Sequence, residues 1–354
     1  MNTNTCKLQY FAAANGFSGF RSYFDKIFLS SRFDAVYVLK GGPGTGKSSL
    51  MKNICNSFLE KCSALEMIHC SSDPDSLDGA ILKSNERSVA ILDGTAPHER
   101  DAMIPGATDS LINLGDGWSS KMLRQKRDRI IQLDSQKKDN YAKAYFYLHL
   151  AGEVFWERYK RLSVTVDTEK IHKAVKEILT DHIHEYEIPE EKVYLETAFC
   201  KYGSYRLKSF GKNPKKNVTV NKDGCCEYLL TGSIVNTLKT TRQSFDYIPS
   251  PLDDKLCDGV ILPDCNVGFF AEQDDDTCIR IDTFKKKEAA KETDYIKELD
   301  GFYESYLQKA KEFFKRAADT HSMLEEIFIG AMNFSVNEEK TQMLIKDIEE
   351  IFEA

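Results

Sequence analysis

Residues 34–93 alternate short apolar runs with polar, glycine-bearing breaks. "DAVYVLK" (34–40) is β-branched and aromatic and reads as a buried strand. "SSLMKNICNSFLE" (48–60) spaces Leu50, Met51, Ile54, Phe58 and Leu59 at helical intervals. "SVAILD" (88–93) is a second apolar strand, ending in Asp93, and a further strand is expected at 64–69. Strand, helix and strand in this order predict an α/β fold. Further on, segment 141–162 places Tyr145, Phe146, Leu148, Leu150, Val154, Phe155, Tyr159 and Leu162 on more than one helical face. Such a helix must be buried, against the similar stretch 303–329 or against its own sheet.

The pattern then recurs. "SLDGAILKSNERSVAILDG" (76–94) and "LCDGVILPDCNVGFFAE" (256–272) share Asp78-Gly79 with Asp258-Gly259 and Ile81-Leu82 with Ile261-Leu262. After a shorter turn, Val89 matches Val267. "KAYFYLHLA" (143–151) matches "KAKEFFKRA" (309–317), and Leu133-Asp134 matches Leu299-Asp300. "KEI" (176–178) pairs with "KDI" (346–348), and "FAAANGF" (11–17) with "TAFCKYG" (197–203). The matches keep one order in both halves and read as one module occurring twice. The boundary is expected near the acidic, proline-bearing "EYEIPEEK" (185–192). The expected units are 1–186 and 190–354, related by a pseudo-two-fold axis with a helical middle layer. The Asp-Gly pair kept in both units reads as an architectural turn.

Between the first strand and its helix lies "GGPGTGKS" (41–48), which fits G-x-x-x-x-G-K-S. Glycines let consecutive backbone N–H groups turn toward one anion, and the helix N-terminus adds partial positive charge. Gly41, Gly42, Pro43, Gly44, Thr45, Gly46, Lys47, Ser48 and Ser49 are therefore candidates to cradle the phosphates of ATP. Lys47 would reach the terminal phosphates and Ser48 would ligate Mg²⁺. Asp93, at the tip of the second strand, is the candidate second magnesium anchor; it also suits a plain Asp-Gly turn. Gly94 follows it where many ATPases carry a glutamate, so a catalytic base must come from elsewhere, with His98 and Glu99 nearest. The intervening "HCSSDPDSLDG" (69–79) lies where open α/β sheets bind ligands, which makes Asp73 and Asp75 candidates for a substrate or switch role beside the plain loop reading.

The second half is an internal control. Against "KGGPGTGKS" (40–48) it offers "KDGCCEYLL" (222–230), Asp93 falls against Ala271, and His98 against Asp276. Residues 121–138 hold seven basic and two acidic side chains. Their Arg124, Lys126, Arg127 and Arg129 face Ala290, Glu292, Thr293 and Tyr295. Positive charge thus goes with the phosphate loop, and Arg124 or Arg127 is a candidate to close over the terminal phosphate. A solvated helix face and a nucleic-acid stripe are the competing readings; no aromatic residue interleaves as single-strand binding requires.

Composition narrows the setting. The chain has 354 residues and a formal net charge of −7, which disfavours a general nucleic-acid binder. No run of apolar residues is long enough to span a membrane, and the N-terminal residues lack a secretory pattern. Ten scattered cysteines without a CxxC pair fit reduced thiols in a cytoplasm. His182-x-His184 lacks nearby cysteines, so a structural zinc site is not expected.

"VLKGGPGTGKS" (38–48), "HCSSDPDSLDG" (69–79) and "DGTAPH" (93–98) resemble a family of bacterial P-loop ATPases built from two tandem halves. The resemblance spans the chain and implies nucleotide binding, two P-loop folds, a bacterial cytoplasmic setting and no defined substrate. Members are also labelled nucleotide-kinase-like, which is a fold analogy. In that family both halves can carry a loop; here one does. The expectation is an α/β protein of duplicated three-layer α/β/α P-loop NTPase sheets, each followed by long helices. It would bind ATP and Mg²⁺ at one site in the first half and hydrolyse slowly. A small-molecule kinase and a nucleotide-sensing interaction protein, with a protein partner or a second copy of the chain, are the alternatives. No N-K-x-D specificity motif is present ("NKDG" occupies 221–224), which favours ATP over GTP.

Overall fold

A computed structural model describes residues 6–183, 186–207, 214, 216–221, 225–272, 279–286 and 293–354. His184, much of the "KNPKKN" loop (212–217), residues 222–224, Asp276, Ala290 and Glu292 lie outside the described residues. The chain opens with β1 (Cys6–Phe11), the hairpin β2 (Ala13–Gly16) and β3 (Gly19–Ser22), and the short α1 (Phe24–Ile27). Next come β4 (Ala35–Lys40), α2 (Lys47–Phe58), β5 (Ala64–His69), β6 (Leu77–Ser84), β7 (Arg87–Asp93) and β8 (Asp109–Asn113). Helices α3 (Ser120–Gln125), α4 (Arg127–Ser163) and α5 (Thr168–Leu179) close the first half. The second half runs β9 (Glu191–Val193), the hairpin β10 (Thr197–Cys200) and β11 (Gly203–Arg206), β12 (Lys216–Asn221) and α6 (Glu227–Thr240). It ends with β13 (Phe245–Pro249), β14 (Cys257–Leu262), β15 (Val267–Glu272), α7 (Thr293–Ile329) and α8 (Ser335–Glu353).

The fold is mixed α/β, and its two larger sheets run in the same order. The six-stranded sheet is β1-β5-β6-β7-β4-β8 and the five-stranded sheet, read from its β9 edge, is β9-β13-β14-β15-β12. In both, the outer pairs are parallel and the hairpin strands inside are antiparallel. β4, between β7 and the edge strand β8, is apolar and buried almost throughout, as a strand covered on both faces must be. Both sheets carry the same register shift, between Ile68 and His69 and between Ile248 and Pro249. Asp78-Gly79 is not a turn but lies inside β6. Gly79 is required there by packing, since a Cβ would sit 2.5 Å from the Phe28 ring. At the small hairpins, Gly16 pairs Gly19 and Cys200 pairs Gly203, so Gly19 rather than Phe17 stands opposite Gly203.

The layers differ from the expected α/β/α. One face of the first sheet (Val36, Val38, Ala90, Leu92) shares a core with Tyr194, Ile248, Ile261 and Phe270 of the second sheet's strands and flank. The order is therefore helices, sheet, sheet, helices. At the centre, Phe11 and Leu195 exchange backbone hydrogen bonds at 2.8 and 3.3 Å, and the Tyr10 and Tyr194 rings meet edge-on at 4.9 Å. The middle layer is thus made of strands, because each sheet has two apolar faces and helices enough for one.

The long helices lie beside this sandwich. α4 and α7 each have 37 residues, about 55 Å at 1.5 Å per residue. They pair antiparallel: Tyr141 meets Phe314, Tyr147 meets Phe313 and Phe155 meets Tyr303. The fully buried Ala144 and Ala310 share the core at their crossing, where small side chains let the backbones approach.

The helices then exchange halves. α5 sends Ile171, Val175 and Leu179 into the core of the second sheet and α6. α8 sends Leu344 and Ile348 into the core of the first sheet and α2. Phe58 meets Phe352 at 5.8 Å, Lys61 pairs with Glu349 at 2.7 Å, and the Tyr37 hydroxyl donates to Asp347. The boundary at 186–190 therefore divides the sequence but not the packing. Each sheet is completed by a helix from the other half. Leu344→Ala is expected to cost about 2–5 kcal/mol and, in denaturant titration, to destabilise the first sheet although residue 344 lies at the far end of the chain.

Candidate functional site: a glycine loop closed by the C-terminal helices

β4 feeds directly through residues 41–46 into α2. Gly44 and Gly46 have φ of +66° and +82°, the left-handed region that side chains avoid. Both also lie under neighbours. A Cβ on Gly44 would stand 2.8 Å from the Glu325 carbonyl oxygen, and one on Gly46 would stand 3.1 Å from Asn337 Nδ2. Gly46 caps α2 with no side-chain hydrogen bond, which leaves the first helical N–H groups as an anion seat. Lys47 Nζ donates to the carbonyls of Gly41 (2.7 Å) and Gly42 (3.1 Å) and lies 3.6 Å from Asp93 Oδ2. Thr45 Oγ1 donates to the Gly42 carbonyl at 2.9 Å, bracing the turn.

Asp93 ends β7 beside Leu39 of β4, which carries its carboxylate to the mouth of the loop. Its Oδ1 accepts from the Thr95 N–H at 2.8 Å and hydroxyl at 2.6 Å, while Oδ2 faces Lys47. One oxygen of Asp93 thus braces the turn and the other faces the loop lysine. Ser48 Oγ accepts from the Leu77 N–H at 2.9 Å, which ties the start of α2 to β6. No group of three or more His, Cys, Asp or Glu is placed to hold a metal among the described residues. One serine and one aspartate at a phosphate cradle is a donor set that fits Mg²⁺, which takes few protein ligands and completes its shell with phosphate and water. Concavities of about 280 Å³ (between α2 and α8) and 350 Å³ (at Tyr186 and Pro263) lie elsewhere, so chemistry and not cavity volume marks this site.

The other expected members fare differently. His98 is buried, with Nδ1 3.1 Å from the Asp93 carbonyl oxygen, Nε2 3.4 Å from Asp78 Oδ2, and its ring stacked 4.3 Å from Phe24. This is a wedge under the site, holding the Asp93 turn against β6. Burial opposes its charged form, but the hydrogen bond and charge of Asp78, with Asp93 behind, outweigh that and raise its pKa. Glu99, Arg124 and Arg127 are exposed; Arg127 pairs with its neighbour Asp128 at 3.1 Å. The basic run faces solvent there because α3 and the first turns of α4 have no layer outside them. Its inward member is Lys137, one turn or more further along α4, paired with Asp134 at 3.4 Å. Asp75 lends its carbonyl to Lys52, whereas Asp73 pairs at 2.7 Å with Lys201 of the second half.

Several residues close the loop that sequence reasoning did not single out. The Trp118 and Phe328 rings lie over Gly42, at 3.3 and 3.7 Å from a Cβ built there. Asn337 donates from Nδ2 to the Thr45 carbonyl. The Glu325 backbone packs on Gly44; burial and the charge of Asp73 raise the pKa of its carboxyl against the pull of the Gly44 amide and of Lys47. Half-buried His321, 3.6 Å from Glu325, is pushed down to about 4 by desolvation and by Lys137 and Lys47. Trp118 lies 76 positions from Gly42 and the others lie about 280 to 290 positions from the loop, and no local pattern announces them.

The imidazolium of His98 favours the folded state, so its contribution is complete below about pH 6.5 and is lost as pH rises through the elevated folded value. The stability gap between wild type and His98→Gln is expected to be widest in mildly acidic buffer and to narrow toward alkaline pH, measured by denaturant titration across that range.

Comparison of the chain with family models, curated proteins and solved structures gives no match.

Proposed function

We propose that this protein binds one Mg²⁺–ATP at residues 41–49 and hydrolyses it slowly, with the second half a degenerate copy of the first P-loop unit. The observation that carries this reading is the loop itself: left-handed Gly44 and Gly46, an uncapped α2 and Lys47 folded over the loop carbonyls toward Asp93. Backbone donors, a helix terminus and one ammonium in a partly water-excluded pocket form a seat for a polyphosphate. Bound Mg²⁺ would screen the phosphate charge, with Ser48 and Asp93 as its protein ligands. Gly94 supplies no acid beside Asp93, and His98 is engaged as a wedge, which supports slow chemistry.

The duplication is supported by strand order, by the shared register shift and by the matching loops after β5 and β13. Helix alignment refines the comparison at the lost site. α2 buries Leu50, Ile54 and Phe58, and α6 buries Leu230, Ile234 and Leu238. This register puts Glu227, rather than Leu229, opposite Lys47, and Tyr228 opposite Ser48. β15 puts Ala271 opposite Asp93. The charge at the lysine position is inverted, so the second site would repel phosphate.

A sensing role without turnover is the second reading. Glu325 and Ile329 of α7 pack on Gly44, so a phosphate arriving there would press on a helix that reaches both halves. The kinase alternative is less well supported, because Lys201 and Tyr202 already stand over the 69–79 loop. No helix among the described residues is long and apolar enough to cross a membrane.

Titration with ATP and GTP, with and without Mg²⁺, followed by phosphate release on the same sample, tests the assignment. One ATP per chain with slow release is expected; tight binding without release selects the sensor. Lys47→Ala should weaken binding by about 10- to 100-fold or more, the worth of charge-assisted hydrogen bonds. Ala271→Asp should change nothing. ATP binding of wild-type strength after the first substitution overturns the reading.

A further inference from the structure

The two hairpins reach across the centre in the same way but carry different tips. Phe17-Ser18 joins β2 to β3, and Lys201-Tyr202 joins β10 to β11. Each tip docks on the loop after the second strand of the opposite sheet. Phe17 N donates to the Leu252 carbonyl at 2.7 Å, and Lys201 Nζ pairs with Asp73 at 2.7 Å. The two receiving loops share their hydrogen bonds. Cys70 bonds Ser76, which bonds Asp73; Ser250 bonds Leu256, which bonds Asp253.

The substitution extends beyond the tips. Aligning the long helices on "KAYFYLHLA" and "KAKEFFKRA" sets Lys137 opposite Tyr303, His321 opposite Phe155 and Glu325 opposite Tyr159. Around the degenerate position these aromatic residues pack together. Phe155 lies 5.7 Å from Phe17, 6.1 Å from Tyr303, 6.3 Å from Tyr159 and 6.1 Å from Tyr228. Around the intact loop the same positions hold three ionisable side chains and the lysine tip, and Lys47, Lys137 and Lys201 all act on His321. Lys201 and Lys47 also act together on Glu325, whose backbone packs on Gly44. A cation brought to a place where its counterpart is a phenyl ring is not needed for docking the hairpin, because Phe17 docks without one.

We propose that Lys201, supplied by the second half and held ready by Asp73, is the cation that engages the terminal phosphate of the nucleotide at the loop. This deepens the nucleotide-binding reading and rests on it. The second half is then no bystander, since it completes the one working site through its hairpin. Asp73 acts as a positioning residue, sharing the ammonium with the incoming phosphate. An ammonium facing the last phosphate favours ATP over ADP, which has no phosphate at that place.

The test compares Mg²⁺-dependent binding of ADP and of a non-hydrolysable ATP analogue in wild type, Lys201→Ala, Lys201→Gln, Lys201→Arg and Asp73→Asn. Lys201→Ala and Lys201→Gln are expected to lose about 10-fold in affinity for the ATP analogue and almost none for ADP. Lys201→Arg should keep most of the preference. Asp73→Asn should shift it in the same direction as Lys201→Ala by a smaller factor. Melting temperatures close to wild type in the glutamine and arginine variants separate recognition from hairpin docking. An unchanged ATP-to-ADP ratio in Lys201→Gln, or an equal loss for both nucleotides, overturns this inference while leaving the loop assignment standing. Absence of binding by wild type, or binding indifferent to Lys47→Ala, overturns the assignment and the inference together.

Discussion

The structure depends on one exchange of buried surface. The first sheet presents Tyr37, Leu39, Leu82 and Ile91 on its outer face, and α2 covers part of it. The rest is covered by α8, which enters from the end of the chain with Leu344 and Ile348. At about 25 cal/mol per Å² of apolar surface, leaving that face open would remove a large part of the drive to fold. Docking α8 there places Asn337 on the Thr45 carbonyl and the last turns of α7 over Gly42 and Gly44. A core-packing requirement thus decides what surrounds the glycine loop.

The same exchange accounts for the contrast between the two ends of the molecule. α5 and the Phe17 hairpin complete the second sheet as α8 and the Lys201 hairpin complete the first. At the matching end beside the second sheet, the space is filled by Phe17, Phe155, Tyr159, Tyr228 and Tyr303, which bury as ordinary core. Where the loop is intact, the positions hold lysine, histidine and glutamate, whose burial depresses His321 and raises Glu325. Charged groups crowded beside a glycine loop are poor core material. Their arrangement makes sense as a site, and the aromatic end supplies the packing that the charged end lacks.

His98 illustrates how local sequence can mark a residue for the wrong role. It follows Asp93 closely and belongs to a residue type that titrates near neutrality, so it reads as a base. In the fold it is stacked on Phe24 and bridges Asp78 to the Asp93 carbonyl. Its contribution to the site is to hold the aspartate, and it makes that contribution from beneath.

The strands at 34–40, 64–69 and 88–93, the helix after the loop and the long segments 141–162 and 303–329 were all legible in the sequence. Their apolar spacing and glycine breaks are local properties of the backbone. The nearness of Lys47, Ser48 and Asp93 was legible for the same reason, since a glycine turn between strand and helix and the tip of a second strand are local features. Sequence matches in the second half pointed to a similar frame without Lys47 or Asp93, and the two larger sheets share their strand order. Tertiary structure decided what each helix covers: α5 and α8 cross over, the sheets meet face to face, and Asp78-Gly79 lies within a strand. It also decided which cations stay exposed and which are drawn in against the fold. Arg124 and Arg127 point to solvent, while Lys137 and Lys201 turn inward. That choice rests on contacts between segments far apart in the chain, made when two apolar faces must find cover, and no local spacing encodes it.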